Sequence, residues 1–192
     1  MKKRILSMFL ALSVVLSVVV MPDGWSLRAA ATTATINAGT TPWLLNNIPA
    51  SALTDLELGS NISVIQLRVP GTATSEDIPL SIGTGLSAVL TQYDTATEQF
   101  VIVSSITVRA DGRATANVAR TGEYLVFGFK TGDVTGDGAV DTADALEVLR
   151  SAVGLIELNS VKSFIAKGNT GEISTSDALN ILRYAVGLVD RI

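Results

Sequence analysis

Asp133-Val134-Thr135-Gly136-Asp137-Gly138-Ala139-Val140-Asp141-Thr142-Ala143-Asp144 is the stretch on which the reading of this 192-residue chain turns. Carboxylates fall at positions 1, 5, 9 and 12 of the stretch, a hydroxyl at position 3 and a glycine at position 6. That spacing suits a loop that wraps calcium, a hard cation needing about six to eight oxygens aimed at one point. Asp133, Thr135 and Asp137 supply three of them if the backbone turns sharply, and Gly138 permits the turn. The carbonyl of Ala139 fits position 7, Asp141 reaches the ion directly or through water, and Asp144 closes the loop from the first turn of a helix. The expected cofactor is one calcium ion (Ca2+), held by Asp133, Thr135, Asp137, Ala139, Asp141 and Asp144. Two positions depart from the usual pattern: Thr135 stands where Asp or Asn is common, and Asp144 where a bidentate Glu is common. The plainer alternative is an acidic, glycine-rich surface turn.

The segment after the loop repeats. Asp144-Ala-Leu-Glu-Val-Leu-Arg-Ser-Ala-Val-Gly-Leu155 returns 33 residues later as Asp177-Ala-Leu-Asn-Ile-Leu-Arg-Tyr-Ala-Val-Gly-Leu188. Each copy has helical spacing, with Leu146, Leu149 and Val153, and again Leu179, Leu182 and Val186, at i, i+3 and i+7. Gly154 and Gly187 fall where a helix ends in the left-handed conformation. Two loop-plus-helix units of this kind resemble a type I dockerin, over residues 131–192. The resemblance implies two half EF-hands packed antiparallel and calcium-dependent docking onto a cohesin module of a scaffold protein, as in cellulosome-type assemblies. It also implies partner contacts at Thr142, Ala143, Leu149 and Arg150 in the first repeat and at Thr175, Ser176, Leu182 and Arg183 in the second. For Leu149 and Leu182 the helical pattern supports core packing equally.

The second loop is degenerate. In the same register it reads Ala166-Lys167-Gly168-Asn169-Thr170-Gly171-Glu172-Ile173-Ser174-Thr175-Ser176-Asp177, with Ala, Gly and Thr at positions 1, 3 and 5. One surviving carboxylate does not hold calcium, and Ser174 with Asp177 forms an S-x-x-D capping box instead. Between the repeats, Asn159 or Ser160 can cap a short helix whose Val161, Phe164 and Ile165 fill the core between the two longer ones.

Residues 1–31 read as a signal peptide. Lys2, Lys3 and Arg4 precede an uncharged apolar run from Ile5 to Val20, and Ala29-Ala30-Ala31 offers small residues for cleavage. The run is shorter than the ~20 residues of a membrane span, so no stable span is expected after cleavage. Cleavage removes Lys2, Lys3, Arg4, Arg28 and Asp23, which takes 14 basic and 18 acidic residues to 10 and 17, a net charge near −7. An acidic, exported, extracellular chain argues against a nucleic-acid partner. The chain has no cysteine and no histidine, so neither disulfides nor the commonest general base and zinc ligand are available.

Residues 32–130 are rich in Thr, Val, Ile, Ser and Gly and read as short strands between turns. Ile62–Val69, Leu86–Tyr93, Phe100–Ser104 and Tyr124–Phe129 are the expected strands. Asp94–Thr97 makes one turn, and Asp111-Gly112 a hairpin between Ile106–Arg109 and Ala114–Val118. The pattern over residues 79–129 resembles small extracellular bacterial β-sandwich modules. The expected fold class is therefore two-domain: an all-β immunoglobulin-like sandwich (32–130), then a small all-α dockerin of paired half EF-hands (131–192).

No catalytic residues are expected. The acids of residues 32–130 sit singly in turns, and no serine or threonine has a base partner. The expected function is a non-catalytic exported protein attached through calcium-dependent docking to a cohesin. The alternative is a carbohydrate-binding accessory subunit that uses Trp43 as a platform for polysaccharide; packing at the edge of the sandwich is the other role for Trp43.

Overall fold

A computed structural model describes residues 32–37, 48–69, 76–118 and 122–192. The expected signal peptide and Trp43 lie outside them. The elements run β1 (Thr32–Asn37), α1 (Ala50–Thr54), β2 (Ser63–Val69), β3 (Glu76–Ser81), β4 (Ser87–Asp94), β5 (Gln99–Ile106), β6 (Arg113–Val118), β7 (Gly122–Phe129), α2 (Thr142–Ala152), α3 (Ser160–Lys167) and α4 (Thr175–Ala185).

The last strand shows how the molecule is layered. Tyr124 to Phe129 is buried without a break, although alternate side chains of a strand point to opposite faces. Leu125, Phe127 and Phe129 enter one core, and Tyr124 and Val126 enter another. A strand buried on both faces belongs in the middle of a sheet that is covered on both sides. Accordingly β7 is the central strand of an antiparallel five-stranded sheet ordered β1-β2-β7-β4-β5. Its neighbour β2 divides likewise, Val64 joining the first core and Ile65 and Leu67 the second.

A two-stranded antiparallel sheet, β3-β6, covers the second face. On β6 the alternation is strict: Ala114, Ala116 and Val118 are buried, and Arg113, Thr115 and Asn117 are exposed. The Asp111-Gly112 turn forms as expected, with Gly112 at φ 77° and its N–H donating to the Arg109 carbonyl at 2.8 Å. Only the bridge Val108–Ala114 follows, after which β6 pairs with β3 and not with the strand before the turn. The Asp94 turn also forms, its carboxylate accepting from Ala96 N–H and Thr97 Oγ1, both at 2.9 Å.

The helices cover the first face, and this overturns the expected fold class. Ile48, Ala52 and Leu56 around α1 join Val64, Val89, Phe100, Leu125, Phe127 and Phe129 of the sheet in one continuous core with Val134, Val148, Phe164, Ile165 and Ile181. The rings of Phe129 and Phe164 meet edge to face with centroids 6.0 Å apart. Asn159 Nδ2 donates to the Leu56 carbonyl at 3.0 Å, and Ser160 Oγ donates to the Phe100 carbonyl. The structure is thus a β-rich fold of two antiparallel sheets with four short helices laid on one of them. It is not an immunoglobulin-like sandwich followed by a separate all-α dockerin. The physical reason is the short connection: Lys130–Gly132 spans at most about 10 Å, and Phe127 and Phe129 present an apolar sheet face that needs a cover. Val161, Phe164 and Ile165 therefore pack against the sheet as well as among the helices.

Candidate metal loop and docking face

Residues 133–141 form an irregular loop between β7 and α2. Its two ends are anchored by buried acids, Asp133 being 2% exposed and Asp144 fully buried. Asp133 accepts from the N–H of Asp137 (3.1 Å) and of Gly138 (3.0 Å). Asp144 accepts from the N–H of Thr135 and of Asp141, both at 2.9 Å. Two side chains thus bind four amides and wind the loop around themselves. Gly136 and Gly138 take φ values of 69° and 95°, the left-handed region that the winding requires. Asp141 caps α2 through Ala143 N–H at 2.7 Å, and with Asp144 it completes a capping box.

Burial pushes the Asp133 carboxyl above the usual carboxylate range. The amide of Gly138 opposes this, and the charges of Asp144 and Asp137 add to it. None of the four loop carboxylates has a Lys or Arg within ion-pair distance among the described residues. Thr135 Oγ1 is buried with no hydrogen-bond partner, which costs about 1–3 kcal/mol for a polar group of this kind. These features fit a hard cation: every donor is oxygen, two acids are buried without a counter-charge, and the position-3 hydroxyl is left over. Asp137 and Asp141 are exposed, and among the described residues no three acidic side chains stand together as a finished metal cluster. Each carboxylate oxygen that holds an amide keeps a second lone pair for a metal.

The second loop is closed differently. Lys167 Nζ donates to the carbonyl of Glu172, at position 7 of that loop, at 2.7 Å. Asp177 Oδ2 accepts from Ser174 N–H and Oγ, both at 2.8 Å, and so caps α4. The helix α3 runs to Lys167 and ends at Gly168 in the left-handed conformation, so the first two positions of the loop are helical.

The two repeats give two matching helices that pack on each other. The faces they bury are narrow: Ala145 and Val148 on α2, Ala178 and Ile181 on α4. Of the residues implicated in partner contact, Leu149 is 41% and Leu182 38% exposed, which removes core packing as their role. Leu146, Val153, Leu179 and Val186 are exposed beside them. Thr142, Ala143, Arg150, Thr175, Ser176 and Arg183 are exposed too. Each helix ends in a Schellman motif: Leu155 and Leu188 N–H donate to the carbonyls of Arg150 and Arg183, and Gly154 and Gly187 N–H to those of Ser151 and Tyr184. The leucine after each glycine commonly folds back on its helix, yet Leu155 and Leu188 are both 73% exposed. The helical spacing had shown which residues share a stripe, and the structure turns that stripe to solvent.

No family model matches the chain, and no curated protein or solved structure matches it. Among the described residues no helix is long and apolar enough to cross a membrane.

Proposed function

We propose that this is an exported, non-catalytic protein whose calcium loop and paired helices dock onto a cohesin module of a scaffold protein, as a dockerin does. The docking unit is not free-standing in this reading, because its core is the outer face of the sheet. The observation that carries the proposal is the duplicated apolar face: Leu146, Leu149, Val153 and Leu155, on α2 and just past its end, correspond one for one to Leu179, Leu182, Val186 and Leu188, on α4 and just past its end, and all eight are exposed. Patches of this kind mark interaction sites in soluble proteins. Arg150 and Arg183 flank the patch and are the charged contacts of the interface. Calcium organises the Asp133–Asp144 loop and the start of α2, so docking depends on the ion.

The acids of the β-rich part support the absence of catalysis. Asp94 and Asp111 spend their oxygens on their own turns, and the amide of Ala96 and the hydroxyl of Thr97 hold the Asp94 carboxyl below its usual range. The test is capture of the mature chain by a panel of immobilised cohesins in calcium and in excess chelator. Binding to at least one cohesin in calcium alone is expected. Equal retention with chelator, or no retention by any cohesin, overturns the reading.

A further inference from the structure

The calcium loop is also gripped from outside. The turn between α1 and β2, residues 57–62, lies directly against it. The N–H of Asn61 donates to the carbonyl of Gly136 at 3.0 Å. Gly59 and Gly136 meet backbone to backbone: a Cβ on Gly136 would lie 2.6 Å from Gly59 N and 2.7 Å from its Cα, and a Cβ on Gly59 would collide with the Gly136 carbonyl. Both obstacles are main chain and cannot rotate away. The Asn61 carboxamide covers Gly138, within 3.1 Å of where a Cβ would sit there, and fully buried Ile62 reaches Gly136. Glu57 enters the turn at φ 49°, an uncommon conformation for a residue with a side chain.

We propose that the 57–62 turn is a working part of the calcium site, with Gly59 and Asn61 as positioning residues, so that the ion governs how firmly the helical end is held to the sheet. The inference rests on the calcium reading above. Gly136 and Gly138 are positions 4 and 6 of the loop, the segment whose amides bind Asp133. A turn that fixes the Gly136 carbonyl therefore fixes the donors that wind the loop. Coupling of this kind is reciprocal: whatever the turn contributes to calcium affinity, calcium returns to the hold on the turn.

The test is a calorimetric calcium titration of the mature chain and its Gly59→Ala variant, with amide hydrogen exchange of the wild type in calcium and in chelator. The expected result is affinity weakened about tenfold in Gly59→Ala, together with a calcium-dependent gain in protection of the Asn61 amide larger than that of the amides of β6. Equal affinity of the two proteins and an Asn61 amide that gains no more than those of β6 would overturn the inference and leave the calcium site standing. No calcium binding by the wild type sinks both. Should Gly59→Ala not fold, the exchange of the Asn61 amide in the wild type decides alone, since a merely structural contact would respond to the ion only as much as the amides of β6 do.

Discussion

Asp144 shows how much one side chain carries. It is fully buried, and its two oxygens satisfy the N–H groups of Thr135 and Asp141. In Asp144→Ala both amides lose their acceptor. A loss of about 1–3 kcal/mol per stranded donor is expected in chelator, read by denaturant unfolding, with calcium binding abolished in the same protein by calorimetry. Unchanged stability would show that water replaces the carboxylate. Asp133 gives the pH dependence. Its carboxyl is raised by burial and by its acidic neighbours, so without the ion its contribution to stability is full below the unfolded value of about 4 and is lost as pH rises through the folded value. With calcium present the proton is a competitor. Affinity should therefore begin to fall, as pH is lowered, at higher pH than an ordinary carboxylate would cause. A titration series in which affinity falls only in the ordinary carboxylate range contradicts the burial of Asp133.

The helices α2 and α4 are held by their ends and by each other, not by burial of their leucines. A capping box opens α2, the Asp177 carboxylate caps α4, and a Schellman motif closes each. Leu149→Ala with Leu182→Ala should therefore change unfolding free energy by no more than about 1 kcal/mol in total, far less than the 2–5 kcal/mol typical of each buried leucine lost. The same double variant should lose most of its retention on a cohesin, measured by surface plasmon resonance in calcium. Retention at wild-type strength would move the interface off this face. The two loops behave as different elements: one is wound about two buried acids, and the other is bridged by Lys167 and capped by Asp177.

Across the whole molecule the sheet and the helices share one core, and Phe129 is where they join. It is fully buried and meets the Phe164 ring edge to face. Phe129→Ala is expected to cost about 3–5 kcal/mol and to lower the near-ultraviolet signal of the sheet and the helical signal together, because neither has a cover without the other. Unfolding of the wild type should be a single transition by both probes, and calcium should raise its midpoint. Two separated transitions would show that the helical end unfolds by itself.

The loop, the repeat and the ends of the helices were legible in the sequence because each is set by neighbours along the chain. Position-specific oxygens wind Asp133–Asp144, left-handed glycines stop α2 and α4, and Asn159 starts α3 through Lys162 N–H at 2.9 Å. The turns at Asp94 and Asp111 were legible for the same reason. Which side of a helix or strand faces solvent was not. Periodicity says that Leu146, Leu149 and Val153 lie together, but only the packing of α2 on α4, within the core shared with the sheet, decides that Val148 goes inside and they stay outside. The pairing of β6 with β3, the contact of Gly59 with Gly136, and the burial of β7 on both faces bring together residues far apart in the chain. Local sequence thus determined the wound acidic loop and the paired helices. Tertiary structure alone decided that they form no separate module, because the apolar face of β7 needs a cover and three residues of connection leave the helices nowhere else to pack.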